Sequence, residues 1–516
     1  MIARGPTYRD LVERGARAHP DRTAMIVDAR SYSFADVDDR ANRLAHALIG
    51  AGASKGTRIA VLLNNGPDSI PVDFALCKAG LNKVPLNARL SPGEHIQMVR
   101  EARCDMLLFG ADLSDRADEI ASALPALRTF GLGAALPAGA NLDQLASEAD
   151  ASPPDVALSH DDVMITLYTS GTTGVLKAAQ HTQGSYAAIC RNVLLNLFPV
   201  TPDDRMLHAA SLIHASGTFV LPFWIRGACS VILPGFVPDA YLTAIEAHRV
   251  TAINLVPTML QILLDDPAID RHDIASLRHI IYGASPMPRP LIERAIARLG
   301  QDRFWQYFGQ TEAPLCIAVL RPEDHAGDRL GACGRPAVDV EIRLVDEEGR
   351  DAGDGPGEVL LRSATAAAGY FHADELTAAT FDAEGWVHTR DIGTVDREGF
   401  LHLLDRTSDM IISGGYNIYP REVEDALLSH PAIAEAAVVG APHEKWVEAV
   451  VAFIVLRPGQ TIDESDLIAH VGSRIASYKK PHRVHFVEEI PKTAIGKLDR
   501  KTLRARLRAS DAQPDG

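Results

Sequence analysis

Val37, Ala41, Leu44 and Leu48 recur at helical spacing behind the pair Ser33-x-x-Asp36. This predicts an amphipathic helix with a capping box at its start, closed by Gly50 and Gly52. The apolar run Ile59–Leu63 follows and reads as a buried strand. The same alternation returns around 230–233, 251–256 and 279–282. Strands buried on both faces and separated by helices predict an α/β architecture: a large N-terminal domain with layered β-sheets flanked by helices.

The pattern changes late in the chain. A Gly/Asp turn cluster at 349–357 precedes a strand at 358–361. After residues 405–408 come a short apolar run at 410–412, the pair Gly414-Gly415 and a helix opened by Pro420. Strands near 436–439 and 450–456, a helix from Glu464 and a strand at 483–487 complete a small α+β module of about a hundred residues. The expected division is 1–407 and 408–516, with a frayed tail from Ala509.

Composition narrows the function. The 516 residues exceed a single core, and 47% hydrophobic with 23% charged residues is globular usage. A net charge of −16 argues against a non-specific nucleic-acid or membrane-surface binder. Apolar runs are too short for a membrane span, and Met1–Asp10 has no signal-peptide character. Six scattered cysteines without a C-x-x-C pair suit free thiols in a reducing cytoplasm and speak against structural zinc.

Five segments carry chemistry. Tyr168 to Lys177 packs Thr169, Ser170, Thr172 and Thr173 with Gly171, Gly174 and Lys177 behind an apolar run. Flexible backbone, hydroxyl donors and one ammonium suit a polyphosphate, although such segments are also ordinary turns. The spacing is not that of a Walker loop, because Leu176 precedes the lysine and Ala178 follows it. In Tyr307-Phe308-Gly309-Gln310-Thr311-Glu312 an aromatic can cover a purine, while Thr311 and Glu312 offer hard oxygens for magnesium. The competing reading is a core aromatic pair beside a helix cap. Tyr282-Gly283-Ala284-Ser285 is a strand exit small enough to admit a flat base. Asp391, with Arg406 downstream, could hold a ribose diol or be a solvated surface pair. Lys497 closes the segment 491–497 and by itself means little.

In this order and spacing the segments resemble the adenylate-forming superfamily of acyl-CoA synthetases, peptide-synthetase adenylation domains and luciferases, from about Tyr8 to Arg500. The resemblance implies a mobile C-terminal lid and the ligands ATP, Mg²⁺ and CoA. Thr169, Ser170, Gly171, Thr172, Thr173 and Gly174 with Lys177 would wrap the β- and γ-phosphates. Phe308 would stack on adenine, with Gly283, Ala284 and Ser285 along its edge and Gly309 allowing close packing. Asp391 and Arg406 would hold the ribose, and Glu312 with Thr169 would bind magnesium. Lys497 would reach the carboxylate and α-phosphate. After lid rotation Gly414, Gly415 and Tyr416 would line a pantetheine tunnel, with Trp446 on the CoA side or packed in the core.

Two departures stand out: Leu176-Lys177-Ala178 replaces the family's Pro-Lys-Gly, and Ser408 replaces the usual Asp or Lys at the hinge. In the acyl pocket, walled by 211–217 and by residues near Gly283 and Tyr307, His214 would act as a gate or be a core histidine. Tyr307 is expected to shorten that pocket, favouring an aryl or short-to-medium acid. No basic residue stands out to pair with a second carboxylate. The implied activity is an ATP-dependent acid–CoA ligase releasing AMP and pyrophosphate. The alternative is a stand-alone enzyme loading an acid onto a carrier-protein phosphopantetheine. A homodimer is left open.

Overall fold

The structure is a computed structural model describing residues 5–133, 140–170, 176–213, 215–285, 287–406, 409–413, 416–443, 446–493 and 497–511. For 169, 170, 176, 406 and 508–511 it describes the backbone alone.

Ser33 caps the helix Phe34–Gly50 in a reciprocal capping box with Asp36, and the strand Arg58–Leu62 follows. Among the described residues, that strand lies inside an eight-stranded sheet. Parallel strands from Val163–Ser170 across Asn82–Pro85, Arg58–Leu62 and Met106–Gly110 form its body. One end of this sheet turns antiparallel: Val163–Ser170 pairs with Leu176–Thr182, and Gly369–Tyr370 adds a short edge strand.

A second sheet, of nine strands among the described residues, has the parallel run Phe304–Gln310, His279–Gly283, Ala252–Leu255, Arg205–His208, Cys229–Ile232 and Thr23–Val27. Alternation sorts its side chains. Leu207, Ile253, Leu255 and Ile280 pack on the helices Pro238–His248, Pro257–Asp265 and Arg289–Leu299. Met206, Ala252, Ile281 and Tyr307 face the helix Gln183–Asn196 with Phe219 and Phe223. A four-stranded antiparallel sheet, Val340–Val345 to Leu401–Arg406, completes the large domain.

The small C-terminal domain is a mixed sheet around the long hairpin Ile433–His443 and Val447–Leu456, joined in parallel by Arg483–Phe486. Pro420 occupies the first turn of Pro420–Leu428, where its missing N–H costs nothing. That helix and Glu464–Gly472 cover one face through Val423, Leu427, Leu467 and Val471; Leu503 and Leu507 of Arg500–Asp511 cover the other. The expected boundary at 407 and 408 lies outside the described residues. No described helix is long and apolar enough to cross a membrane.

Candidate active site

The strands on either side of the hydroxyl-rich segment, Val163–Ser170 and Leu176–Thr182, pair antiparallel. Register pairs Tyr168 with Ala178, Thr169 with Lys177 and Ser170 with Leu176. Gly171, Thr172, Thr173 and Gly174 lie outside the described residues, as do the side chains of Thr169 and Ser170. Lys177 therefore stands on the returning strand, and strand alternation puts Lys177, Ala179 and His181 on one face.

That face meets the turn carrying Glu312. The Lys177 ammonium lies 5.9 Å from the ring centre of Tyr370. The Tyr370 hydroxyl donates to the Glu312 carboxylate at 2.5 Å. Burial pushes the Tyr370 phenol well above its ordinary pKa, and the Glu312 charge adds to the shift, so the hydroxyl stays a donor. The Ala367 N–H donates to the Glu312 carbonyl at 2.8 Å, and His181 Nε2 bonds the Thr311 carbonyl at 2.7 Å. A lysine and a carboxylate 135 positions apart in the chain are thus gathered around one tyrosine.

Glu312 is aimed by a bulged turn between Phe304–Gln310 and Ala313–Leu320, not by a helix cap. A Cβ on Gly309 would lie 2.3 Å from the Leu315 carbonyl oxygen, so only glycine fits where the register shifts. Phe308, half-buried, packs on Ala318, Cys333, Val359 and Leu401. Burial pushes the Cys333 thiol up to about 11, with the Asp391 charge contributing, which sets Asp391 beside the same cluster. Asp391 is 5% exposed, not a solvated surface residue, and lies directly across the ladder from Arg406. The Thr389 hydroxyl bonds the Val359 carbonyl at 2.6 Å and accepts the Asp391 N–H at 3.0 Å, fixing that backbone. The Arg406 side chain is outside the described residues.

Gly283 ends its strand, and Ala284 turns the chain with φ of 63° ahead of Ser285. A Cβ on Gly283 would lie 2.9 Å from the Tyr307 ring carbon Cζ. The ring therefore lies across Gly283, reaches Asn254 through its hydroxyl and meets Phe219 edge-on at 5.9 Å. Tyr307 is 3% exposed. It fills the space beside the sheet rather than presenting a surface to a nucleotide. His214 lies outside the described residues. Its neighbours Ile213 and Gly217 border a small cavity with Tyr8, Asp73, Lys83 and Tyr186, where the Lys83 ammonium is paired with Asp73.

Lys497, Tyr416 and Trp446 sit on the C-terminal domain. Lys497 is held in a turn where its carbonyl accepts the Thr493 N–H at 2.7 Å and its N–H donates to the Thr493 hydroxyl at 3.2 Å. Tyr416 is exposed and stacks on Tyr478 at 4.5 Å. Trp446 is half-buried between the imidazoles of His443 at 4.4 Å and His482 at 4.5 Å, so it is no core residue. Gly414, Gly415 and Ser408 lie outside the described residues.

Sequence reasoning passed over His181 and Tyr370. Period-two counting from Lys177 could have found His181; nothing local marks Tyr370. Among the described residues no three His, Cys, Asp or Glu side chains cluster to hold an ion. One carboxylate beside the Lys177 ammonium has the hard oxygens that suit magnesium sharing ligands with a nucleotide.

The AMP-binding enzyme family matches residues 12–371, and the AMP-binding enzyme C-terminal domain matches residues 422–497. A feruloyl-CoA synthase of Amycolatopsis sp is 36% identical over 497 residues, covering 96% of this chain and 98% of its own. The anthranilate CoA ligase AuaEII, solved with anthranoyl-AMP, superposes with a TM-score of 0.91 at 28% identity over 99% of each chain. The amide bond synthetase McbA of Marinactinospora thermotolerans gives 0.90 at 30% identity, over 97% of this chain and all of its own. With a lysine-bearing strand pair, an acidic turn and a separate C-terminal domain in one order, the chain belongs to the AMP-binding enzymes of the adenylate-forming superfamily.

Proposed function

We propose that this protein is an ATP-dependent acid–CoA ligase whose acid is aryl or of short-to-medium chain length. The observation that carries the reading is the convergence of Lys177, on the strand that follows the hydroxyl-rich segment, and Glu312 on Tyr370. In the first step a carboxylate oxygen of the acid attacks the α-phosphorus of ATP, and the bond to pyrophosphate breaks. A carboxylate is already nucleophilic, so the barrier is charge repulsion and misalignment, not proton removal. Lys177 and the hairpin hydroxyls neutralise and hold the β- and γ-phosphates, Phe308 covers adenine, and Asp391 with Arg406 holds the ribose. Magnesium, when bound with the nucleotide, supplies further charge neutralisation, and Glu312 and Thr169 are the residues that would hold it. Lys497 bridges the carboxylate and the α-phosphate. In the second step the CoA thiol sulfur attacks the acyl carbon and AMP leaves. The C-terminal domain, hinged near 407 and 408, presents Lys497 in the first step and the face of Gly414, Gly415 and Tyr416 in the second, with Trp446 on the CoA side.

The test is a panel of carboxylic acids with AMP release measured with and without CoA, plus an arm with an amine in its place. CoA-dependent turnover is expected. Acid-dependent pyrophosphate exchange without CoA-dependent turnover would favour the carrier-protein loader, and no exchange with any acid would remove the reading altogether.

Tyr307 sets the acid's length in this reading. Tyr307→Ala should raise kcat/KM for decanoate relative to benzoate by about tenfold, the scale of a few methylenes in an apolar pocket. An unchanged ratio removes Tyr307 as the end of the pocket.

A further inference from the structure

The two halves of the nucleotide grip lie on different sheets. Lys177 rides on the hairpin of the eight-stranded sheet, whereas Glu312 closes a turn of the nine-stranded one. Something must set their mutual position before a triphosphate can be held in line. We propose that His181, two turns of strand alternation beyond Lys177, is a positioning residue that locks the phosphate hairpin to the Glu312 turn. The inference rests on the reading of this site as the ATP grip and assigns a role in it to a residue outside the five segments.

The geometry is specific. His181 is fully buried, and its Nε2 lies 2.7 Å from the carbonyl oxygen of Thr311, the residue before Glu312. A carbonyl can only accept, so Nε2 carries the proton. Nδ1 then accepts, and the Ser185 hydroxyl lies 3.3 Å away to donate. Burial pushes the ring's pKa down to about 4, so it is neutral near pH 7. The ring is held edge-on to Tyr186 at 5.4 Å, which leaves it little freedom to swing. Ser185 is itself fixed as the N3 partner of the Thr182 capping box, at the start of Gln183–Asn196. The chain of contacts therefore runs from a helix start through an imidazole to the backbone of the acidic turn. Tyr370 grips the same turn from the carboxylate side. His181 fixes the turn's backbone, and Tyr370 fixes the direction of its side chain. Neither touches the reacting atoms.

A positioning role predicts damage confined to the step that uses the triphosphate. His181→Leu keeps most of the volume and removes the donor; His181→Gln keeps a side-chain N–H able to reach the carbonyl. In the full-length protein His181→Leu should slow acid-dependent ATP–pyrophosphate exchange by about ten- to a hundredfold, the penalty expected for a small misplacement of reacting groups. It should also weaken calorimetric binding of magnesium α,β-methylene-ATP by about tenfold, a readout independent of turnover. The KM for the acid, and thioester formation from a preformed acyl-adenylate and CoA, should stay near wild type. His181→Gln should recover most of the exchange rate. Equal loss of both half-reactions in His181→Leu, or no loss of exchange and analogue binding, would overturn the proposal. Failure of the wild-type protein to exchange pyrophosphate with any acid would instead remove the function on which it rests.

Discussion

Glu312→Gln should slow acid-dependent ATP–pyrophosphate exchange by at least about a hundredfold, the range seen when one preorganised electrostatic partner of a transition state is removed. The substitution keeps shape and an acceptor oxygen for the Tyr370 hydroxyl, which now donates to the carboxylate at 2.5 Å. It deletes only the negative charge, which alone distinguishes a magnesium ligand from a structural hydrogen-bond acceptor. The folded protein should therefore persist, with a thermal midpoint within about 2 °C of wild type, a shift that corresponds to about 1–2 kcal/mol for a domain of this size. Thioester formation from a preformed acyl-adenylate should change little, because no pyrophosphate is present in that step. Exchange within threefold of wild type would show that Glu312 serves the turn and not the nucleotide.

Arg500→Met should destabilise the C-terminal domain by about 3–5 kcal/mol, the cost of leaving a buried charge without its partner. Glu424 is 7% exposed and takes two bonds from the Arg500 guanidinium, at 2.7 and 2.8 Å. It also accepts the Val438 N–H at 2.8 Å. The pair joins the helices Pro420–Leu428 and Arg500–Asp511 through the sheet edge, and Lys497 lies three residues before Arg500. Urea midpoints followed by limited proteolysis of this domain provide the measurement. Adenylation should fall with it, since the turn presenting Lys497 loses its anchor. The double variant Glu424→Gln, Arg500→Met removes the Glu424 charge together with its partner and should recover most of the loss, Asp409 keeping its second partner Arg504. If Arg500→Met leaves the urea midpoint in place, the pair is not what holds these helices together.

Local rules located much of the architecture. The Ser33 and Asp36 spacing marked a helix start because a capping box needs only four consecutive residues. Pro420 marked another because its fixed φ and missing N–H are tolerated in the first turn. Gly283 and Gly309 were legible as close-approach sites, though not what approaches them: the Tyr307 ring in one case, the Leu315 backbone in the other. The turn at Glu312 resisted local reading, because an aromatic pair before Thr and Glu is as compatible with a helix cap as with a bulged hairpin. Asp391 was ambiguous for a similar reason. An Asp/Arg pair is solvated unless the strands around it are covered, and here they are.

The order and spacing of the five segments, together with alternating buried strands and helices, determined by themselves the α/β class, the two-domain plan and the family, because these depend on residue type and separation along the chain. Only the tertiary structure decided that Tyr370 stands between Lys177 and Glu312, that His181 ties their two sheets together, and that Tyr307 is core while Trp446 is not. Those facts arise from sheet register and from which face of a strand meets which neighbour, and a one-residue shift in either would move each side chain to the opposite side.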